Sequence, residues 1–222
     1  LDPLHEQLDD VGVVICSNGA VIYDPGAERV LEASLFDVSE ALPVMADVAR
    51  EFPDSLFAAE TLERVYTDHG WSRTDRMEIR HITEAPVKES LAPGTEVVKL
   101  LAKLDGADPN RYFEHVREIV AGRLSVTHSV AAAPLVEMGQ RGLTKARTLE
   151  HFAAEHGISH REVMAFGDMP NDLEMLTWAE RGYAMADGHP HVVATVGRTA
   201  PAFTEDGVCL LYTSDAADEE DS

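Results

Sequence analysis

The sequence has little of several features on which whole classes of protein depend. Only Cys16 and Cys209 are cysteines among its 222 residues, which disfavours a disulfide framework and favours a reducing compartment. Only 18 residues are lysine or arginine, against 40 aspartates and glutamates, so the formal net charge is -22. So negative a chain disfavours non-specific binding to nucleic acid or to an anionic membrane surface.

Long apolar runs are also missing. The apolar stretch VGVVICSNGAVIY is interrupted by Ser17, Asn18 and Gly19, which leaves it too short to cross a bilayer. No basic segment precedes an apolar one in the manner of a secretory signal peptide. We therefore expect a cytoplasmic protein that has no membrane partner and does not bind nucleic acid.

The predicted secondary structure changes along the chain. The Asn-Gly turn near residues 17–19 predicts a β-hairpin, and a helix is expected at residues 108–122, where Asp108 is a suitable N-cap. After about residue 139, short apolar strands alternate with amphipathic helices. That alternation predicts a parallel sheet with helices on its faces, so the expected fold class is α/β.

A group of polar residues follows a buried strand in the segment VMAFGDMPNDLEML. Ligands of an open parallel sheet lie outside the carboxyl ends of its strands, and the strand VMAF delivers Asp168 to that edge. Asn171 and Asp172 fall in the first turn of the next helix, beside the positive end of its dipole. Oxygen ligands of this kind suit Mg²⁺, which usually binds one or two carboxylates and a substrate phosphate. The alternative is that Asp168 caps the helix and the others are ordinary first-turn residues.

Lys145 is the second candidate because it lies in the first turn of a helix, where the dipole disfavours a cation. A lysine beside helix N-terminal amides would make a binding place for a phosphate. The alternative is a solvated surface lysine. Its position about one β-α unit before Asp168 favours the phosphate-binding interpretation.

Other reactive side chains give weaker signals. None of the ten histidines has the spacing of a zinc site. Cys16 lies in an apolar strand, which indicates a core residue rather than a nucleophile. Ser17 and Ser129 have no evident base, so a Ser-His-Asp hydrolase has little support.

These motifs resemble the haloacid dehalogenase-like phosphatases of the Cof type, which carry an inserted C2-type cap. The resemblance rests on the stretches GLTK, GDMPND, YAMADG and TEDGV, and on the N-G-A hairpin in ICSNGAVIYD. It implies a Rossmann-like core, incomplete because its first strands are missing, with an inserted α+β cap domain. The implied segments are a partial core at residues 1–23, the cap at 24–138, the carboxyl part of the core at 139–208 and a non-native tail at 209–222.

The resemblance also implies roles for the candidate residues. Such enzymes hydrolyse phosphomonoesters of small metabolites, such as sugar phosphates, through an aspartyl-phosphate intermediate, with Mg²⁺ as cofactor. Asp168 matches a metal ligand, whereas Lys145 and Asp172 take catalytic roles. The lysine neutralises the phosphate and the nucleophile, and the aspartate orients Lys145 or metal-bound waters. Contacts with the phosphate or the substrate are implied for Lys145, Asn171, Asn18 and Gly19.

One part of the family pattern does not occur in these 222 residues. The D-x-D-G-T motif, which carries the nucleophile and the general acid, is absent, as is the T-G-R stretch that follows it. The segment from Met185 to Gly188 also lacks the family's asparagine. We therefore expect a fragment truncated at its amino end, inactive by itself, from an active parent phosphatase. Two alternatives stay open, a non-catalytic binding protein related to phosphatases and a sugar-phosphate mutase on a similar scaffold.

Overall fold

The computed structural model describes residues 12–71, 81–128 and 133–211. The chain divides into two compact units, Leu1–Leu143 and Thr144–Ser222. Residues 1–11 of the predicted partial core and residues 212–222 of the predicted tail lie outside the described residues. Within the described ranges, no helix has both the length and the apolar character needed to cross a membrane. The four domain segments named above stay a prediction.

The amino-terminal unit begins with an antiparallel hairpin, as the Asn-Gly turn predicts. Val14–Cys16 (β1) pairs with Val21–Asp24 (β2), and Arg29–Ala33 (β3) adds a third antiparallel strand beside β2. Between β1 and β2, Ser17–Gly19 forms a turn of 3₁₀ helix in which all three residues have positive φ. The hairpin therefore turns through a left-handed backbone.

The rest of this unit is organised around a six-stranded sheet. Its strands, together with the short pair β4 and β8, are Phe36–Asp37 (β4), Leu56–Glu60 (β5), Val65–Thr67 (β6), Ile82–Glu84 (β7), Glu96–Val97 (β8), Lys99–Lys103 (β9), Ser125–Thr127 (β10) and Leu135–Gly139 (β11). The strand order in the sheet is β10-β11-β9-β5-β6-β7, and every pair is antiparallel except β6 with β7.

One face of that sheet packs on helices. Val38–Glu51 (α1) and Pro109–Val120 (α3) contribute to its core, as does the short helix Val87–Ser90 (α2). The side chain of Asp108 accepts a hydrogen bond from the backbone N–H of Arg111 at 2.9 Å, which confirms the predicted cap of α3. Because side chains alternate along a strand, the strand residues that face these helices are Phe57, Ala59, Leu100, Ala102, Val136 and Met138.

The carboxyl-terminal unit is the alternating α/β part. Its strands Met164–Gly167 (β12), Arg181–Met185 (β13) and Thr199–Ala200 (β14) form a parallel sheet in that order. Its helices are Lys145–Glu155 (α4), Leu173–Trp178 (α5) and Pro190–Val196 (α6). The parallel pairing confirms the predicted α/β class and puts the carboxyl ends of β12 and β13 at one edge.

Candidate functional site

Asp168 directly follows β12, at the carboxyl edge of the parallel sheet. The residue is exposed, and its carboxylate makes no hydrogen bond or ion pair with the part of the chain that the structure describes. Its backbone carbonyl accepts a hydrogen bond from the N–H of His189 at 2.7 Å. This bond connects the strand-to-helix corner, residues 167–172, to the next β-α connection. The N-cap of the following 3₁₀ helix is Met169. Asp168 therefore projects a carboxylate into solvent instead of capping the helix.

Asp172 has the opposite environment, since it is only 4% exposed. Its Oδ2 accepts hydrogen bonds from the backbone N–H groups of Asp168 at 3.1 Å and Met169 at 3.0 Å. A Cβ atom added to Gly167 would lie 2.5 Å from the Cβ of Asp172. Glycine at position 167 therefore lets the buried carboxylate close under the corner and hold its shape.

The second oxygen of Asp172 is occupied by Lys145. The ammonium Nζ of Lys145 lies 2.6 Å from Asp172 Oδ1, with side-chain exposures of 34% for the lysine and 6% for the aspartate. Lys145 is the first residue of α4, and the Thr144 hydroxyl caps that helix by accepting from the N–H of Arg147 at 3.3 Å. The buried carboxylate offsets the unfavourable helix dipole. An ammonium has three donors, so the exposed side of Lys145 can still bind an anion.

Of the remaining predicted residues, Asn171 lies in the carboxyl-terminal unit, whereas Asn18 and Gly19 lie in the amino-terminal unit. Asn171 is half-buried in the 3₁₀ turn between Asp168 and Asp172. Asn18 and Gly19 belong to the hairpin turn of the amino-terminal unit. The structure thus brings Lys145, Asp168, Asn171 and Asp172 together within one unit, whereas the proximity of Asn18 and Gly19 to them stays a prediction.

The donors at this corner fit a hard divalent cation that uses few protein ligands. Asp168 offers free carboxylate oxygens, the ligand type that Mg²⁺ prefers. Asp172 accepts from Lys145 and from two backbone N–H groups, so its oxygens are less available to a metal ion than those of Asp168. A bound Mg²⁺ commonly keeps several waters and shares a phosphate oxygen, which matches a corner with one available carboxylate.

Sequence reasoning missed two partners that the structure reveals. His189 holds the backbone of Asp168, and no pattern in the sequence indicates that bond. Glu137 accepts a hydrogen bond from Asn18. A glutamate between the apolar residues Val136 and Met138 was the available signal for a buried, partnered carboxylate.

A cavity of the carboxyl-terminal unit lies away from this corner. It has a volume of about 360 Å³ and is lined by the end of α5, the start of β13 and Arg198. The carboxylate of Asp168 follows the opposite, carboxyl end of the strands. Cavity size therefore does not identify the candidate site, whereas the chemistry of the corner does.

The fold and the site together define an α/β protein with a cation and a free carboxylate at the carboxyl edge of its parallel sheet. The chain matches the haloacid dehalogenase-like hydrolase family over residues 1–211. It belongs to that family. The predicted resemblance is thereby confirmed, and the chain is a member of a hydrolase family.

Two curated relatives cover most of the chain. It is 27% identical over 213 residues to 5-amino-6-(5-phospho-D-ribitylamino)uracil phosphatase YitU of Bacillus subtilis, covering 92% of this chain and 76% of that protein. It is 26% identical over 222 residues to pyridoxal phosphate phosphatase YbhA of Escherichia coli, covering 96% of this chain and 81% of the relative. Both relatives are phosphatases of small phosphorylated compounds by name.

A solved structure supports the fold independently. SMU.1108c from Streptococcus mutans superposes with a TM-score of 0.81 at 20% sequence identity, covering 96% of this chain and 79% of the other. At that identity the likeness concerns the fold alone. The predicted mixed α/β architecture is therefore confirmed.

Proposed function

We propose that this chain is part of a Mg²⁺-dependent phosphatase that hydrolyses phosphomonoesters of small metabolites. The observation that carries the proposal is the Lys145–Asp172 pair at 2.6 Å, whose aspartate also accepts a hydrogen bond from the backbone N–H of the exposed Asp168. A phosphomonoester dianion needs positive charge around its oxygens. A partly exposed lysine can supply one positive charge directly, and a free carboxylate can hold a metal cation as the second.

Each residue of the corner takes a separate part. Asp168 would hold the metal ion, which when bound supplies positive charge to the phosphoryl oxygens. Lys145 donates from its exposed side to those oxygens, and the Asn171 amide adds a further donor. Asp172 is a positioning residue, because its carboxylate fixes the Lys145 ammonium and the backbone of the corner. Gly19 and Asn18 are proposed to lie near the substrate through the hairpin turn.

The relatives suggest which substrates to assay first. Their names specify a ribitylaminouracil phosphate and pyridoxal phosphate, so both ligands combine a phosphate with a small nitrogen-containing ring. We propose a substrate from this general class of small phosphorylated metabolites. The low cysteine content supports a cytoplasmic setting.

The nucleophile is proposed to come from outside these 222 residues, since no D-x-D-G-T motif occurs in them. In the full-length gene product an aspartate carboxylate would attack phosphorus, the alcohol would leave with a proton from the general acid, and water would hydrolyse the aspartyl-phosphate. The 222-residue chain by itself should then show no turnover. Mg²⁺-dependent hydrolysis of an aryl phosphate by the purified chain would contradict this part of the proposal.

The site is tested by steady-state hydrolysis of both named ligand types with the full-length gene product. We expect Asp168→Asn to lower kcat/KM by about 100-fold or more, since a metal ion contributes several kcal/mol of charge stabilisation. Glu174→Gln is the matched control, an exposed acidic residue at the start of α5, and should stay within about twofold. Retention of full Mg²⁺-dependent activity by Asp168→Asn would overturn the assignment. Transfer of phosphate to another hydroxyl, without release of free phosphate, would identify a mutase.

A further inference from the structure

Asn18 has partners that its predicted role in phosphate binding does not explain. Its amide Nδ2 donates to Glu137 Oε2 at 2.6 Å and to Thr127 Oγ1 at 3.0 Å. An asparagine amide carries two N–H donors, and two protein acceptors lie within hydrogen-bond distance of it. These partners are 119 and 109 residues away in the sequence, so the contacts are purely tertiary.

Glu137 is a buried charge, being 8% exposed in the middle of β11. It lies on the sheet face opposite to α1 and α3, because its neighbours Val136 and Met138 face the helices. Lys99 Nζ on β9 lies 3.2 Å from Glu137 Oε2 and 3.9 Å from a carboxylate oxygen of Glu60. A buried carboxylate is tolerated only when it is paired and hydrogen-bonded. Lys99 and Asn18 together meet that requirement.

The turn that carries Asn18 has an uncommon backbone. Ser17 and Asn18 have φ of 50° and 57°, and Gly19 has φ of 99°. Residues other than glycine seldom adopt this left-handed backbone region. They do so where contacts with the surrounding structure hold the backbone in that conformation. The contacts of Asn18 with Glu137 and Thr127 provide such a constraint.

We propose that Asn18 is a positioning residue whose amide, hydrogen-bonded to Thr127 and to the Lys99-paired Glu137, locks the left-handed Ser17–Gly19 turn onto β10 and β11. These residues form what we call the Asn18 clasp: Asn18, Thr127, Glu137 and Lys99. The clasp stands on contacts within the amino-terminal unit. One consequence rests on the proposed function: any contact of this turn with a phosphoryl group comes from its backbone, not from the Asn18 amide.

Cys16 supplies a local reporter of the clasp. It is the last residue of β1, immediately before the turn, and it is half-buried. Burial raises the pKa of its thiol, although Lys99 opposes that effect. The thiol therefore reacts slowly with an alkylating reagent while the turn stays closed. Replacing the exposed Cys209 by serine leaves Cys16 as the single thiol.

The decisive experiment swaps the donor and the acceptor of the Asn18–Glu137 hydrogen bond in the full 222-residue chain. Asn18→Asp removes the donors and sets a second carboxylate against Glu137, so the alkylation rate of Cys16 should rise by about tenfold or more. In the double variant Asn18→Asp/Glu137→Gln, the new amide at position 137 donates to the new carboxylate at position 18, and the charge of the clasp is restored. The rate should return to within about threefold of the wild type.

Two controls keep the outcome interpretable. Glu63→Gln changes an exposed acid of the same unit outside the clasp and should leave the Cys16 rate unchanged. If Asn18→Asp does not fold, as judged by circular dichroism, Asn18→Ala removes the same donors without adding charge and should raise the rate by a few-fold.

The competing role as a phosphate ligand predicts different results. Millimolar inorganic phosphate with Mg²⁺ should leave the Cys16 rate of the wild-type chain unchanged if the amide is committed to the clasp. Protection by phosphate that disappears in Asn18→Ala would overturn the proposal. A rate in the double variant as high as in Asn18→Asp would overturn it as well. Neither outcome depends on catalytic activity, so failure of the clasp is distinguishable from failure of the proposed phosphatase function.

Discussion

Each unit of the molecule contains a lysine paired with a carboxylate, and the two pairs differ in their access to solvent. In the amino-terminal unit Lys99 and Glu137 are 3.2 Å apart, with side-chain exposures of 14% and 10%. In the carboxyl-terminal unit Lys145 and Asp172 are 2.6 Å apart, with exposures of 34% and 6%. Both side chains of the first pair are largely buried, and we call it the closed pair. The lysine of the second pair is partly exposed to solvent, and we call Lys145–Asp172 the open pair.

This difference separates a structural pair from a functional one. The carboxylate of Glu137 is buried and accepts from both Lys99 and Asn18 through Oε2, so it is shielded from solvent. The carboxylate of Asp172 is also buried and hydrogen-bonded, but its lysine is partly exposed, and the same carboxylate holds the backbone N–H of Asp168, whose side chain is exposed. The same two residue types therefore lock strands together in one unit and present a cation in the other.

Removing the two lysines should affect stability unequally, and this is the largest expected effect. Lys99→Met leaves Glu137 buried without its cation, which should cost about 3 kcal/mol in the free energy of unfolding. Lys145→Met should cost about 1 kcal/mol, because the lysine is partly solvated and Asp172 keeps two backbone donors. Urea unfolding measures both, with Trp71 reporting on one unit and Trp178 on the other in single-tryptophan backgrounds. A larger loss for Lys145→Met would reverse the comparison.

Close packing at the corner of the carboxyl-terminal unit gives the next effect. Gly167→Ala would press its new methyl group against Asp172, 2.5 Å away before relaxation. We expect a loss of about 2 kcal/mol, the usual cost of overpacking. Gly139→Ala in β11 is the matched control, since nothing lies within 4 Å of its added Cβ. Equal losses for the two variants would show that Asp172 is not held tightly under the corner.

Asp168→Asn should leave the free energy of unfolding nearly unchanged, within about 0.5 kcal/mol. The reason is that the Asp168 carboxylate is exposed and has no partner within the ranges that the structure describes. The same urea titration measures the effect through Trp178. A loss well above 1 kcal/mol would indicate that this aspartate stabilises the helix start after all. Activity lost without a loss of stability is the signature expected of a ligand-binding carboxylate.

The smallest expected effect concerns acid pH and the surface of the amino-terminal unit. Hydrogen bonds from Arg123 and then Arg50 lower the pKa of Asp47 below its ordinary value of 3.8. A carboxyl with a lowered folded pKa stabilises the fold above its unfolded pKa, and that contribution is lost as the pH falls through the folded pKa. Unfolding measured at pH 5 and at pH 2.5 should therefore show a smaller acid-induced loss in Asp47→Asn than in wild type. Identical losses would show that Asp47 does not contribute to the acid sensitivity of the fold.

Local sequence signals predicted the elements that carry the open pair, but not the pair itself. Gly167 and Asp168 end a buried strand, Lys145 opens a helix, and the alternation of strands and helices places both at one sheet. Their meeting within one unit follows because consecutive β-α units of a parallel sheet are neighbours in space. The direct contact of Lys145 with Asp172 came from the family resemblance, since spacing alone gives no atomic partner.

The closed pair could not be predicted in the same way. The contact of Asn18 with Glu137 spans 119 residues and depends on where β11 lies in the antiparallel sheet. The hairpin itself was predicted from Asn-Gly, but that motif says nothing about what the asparagine side chain meets. A charged residue inside an apolar strand indicates a buried partner, and only the packing of the hairpin turn against β10 and β11 identifies that partner as Asn18.

The two lysines should differ most clearly in catalysis. Phosphomonoester hydrolysis by the full-length gene product is measured with Mg²⁺ for Lys145→Met and Lys99→Met, each corrected for the folded fraction. We expect Lys145→Met to lower kcat/KM by about 100-fold or more, because a positive charge beside the phosphoryl group is missing. The kcat/KM of Lys99→Met should stay within about threefold of the wild type. Full activity in Lys145→Met, or an equal loss in both variants, would contradict the distinction between the open and the closed pair.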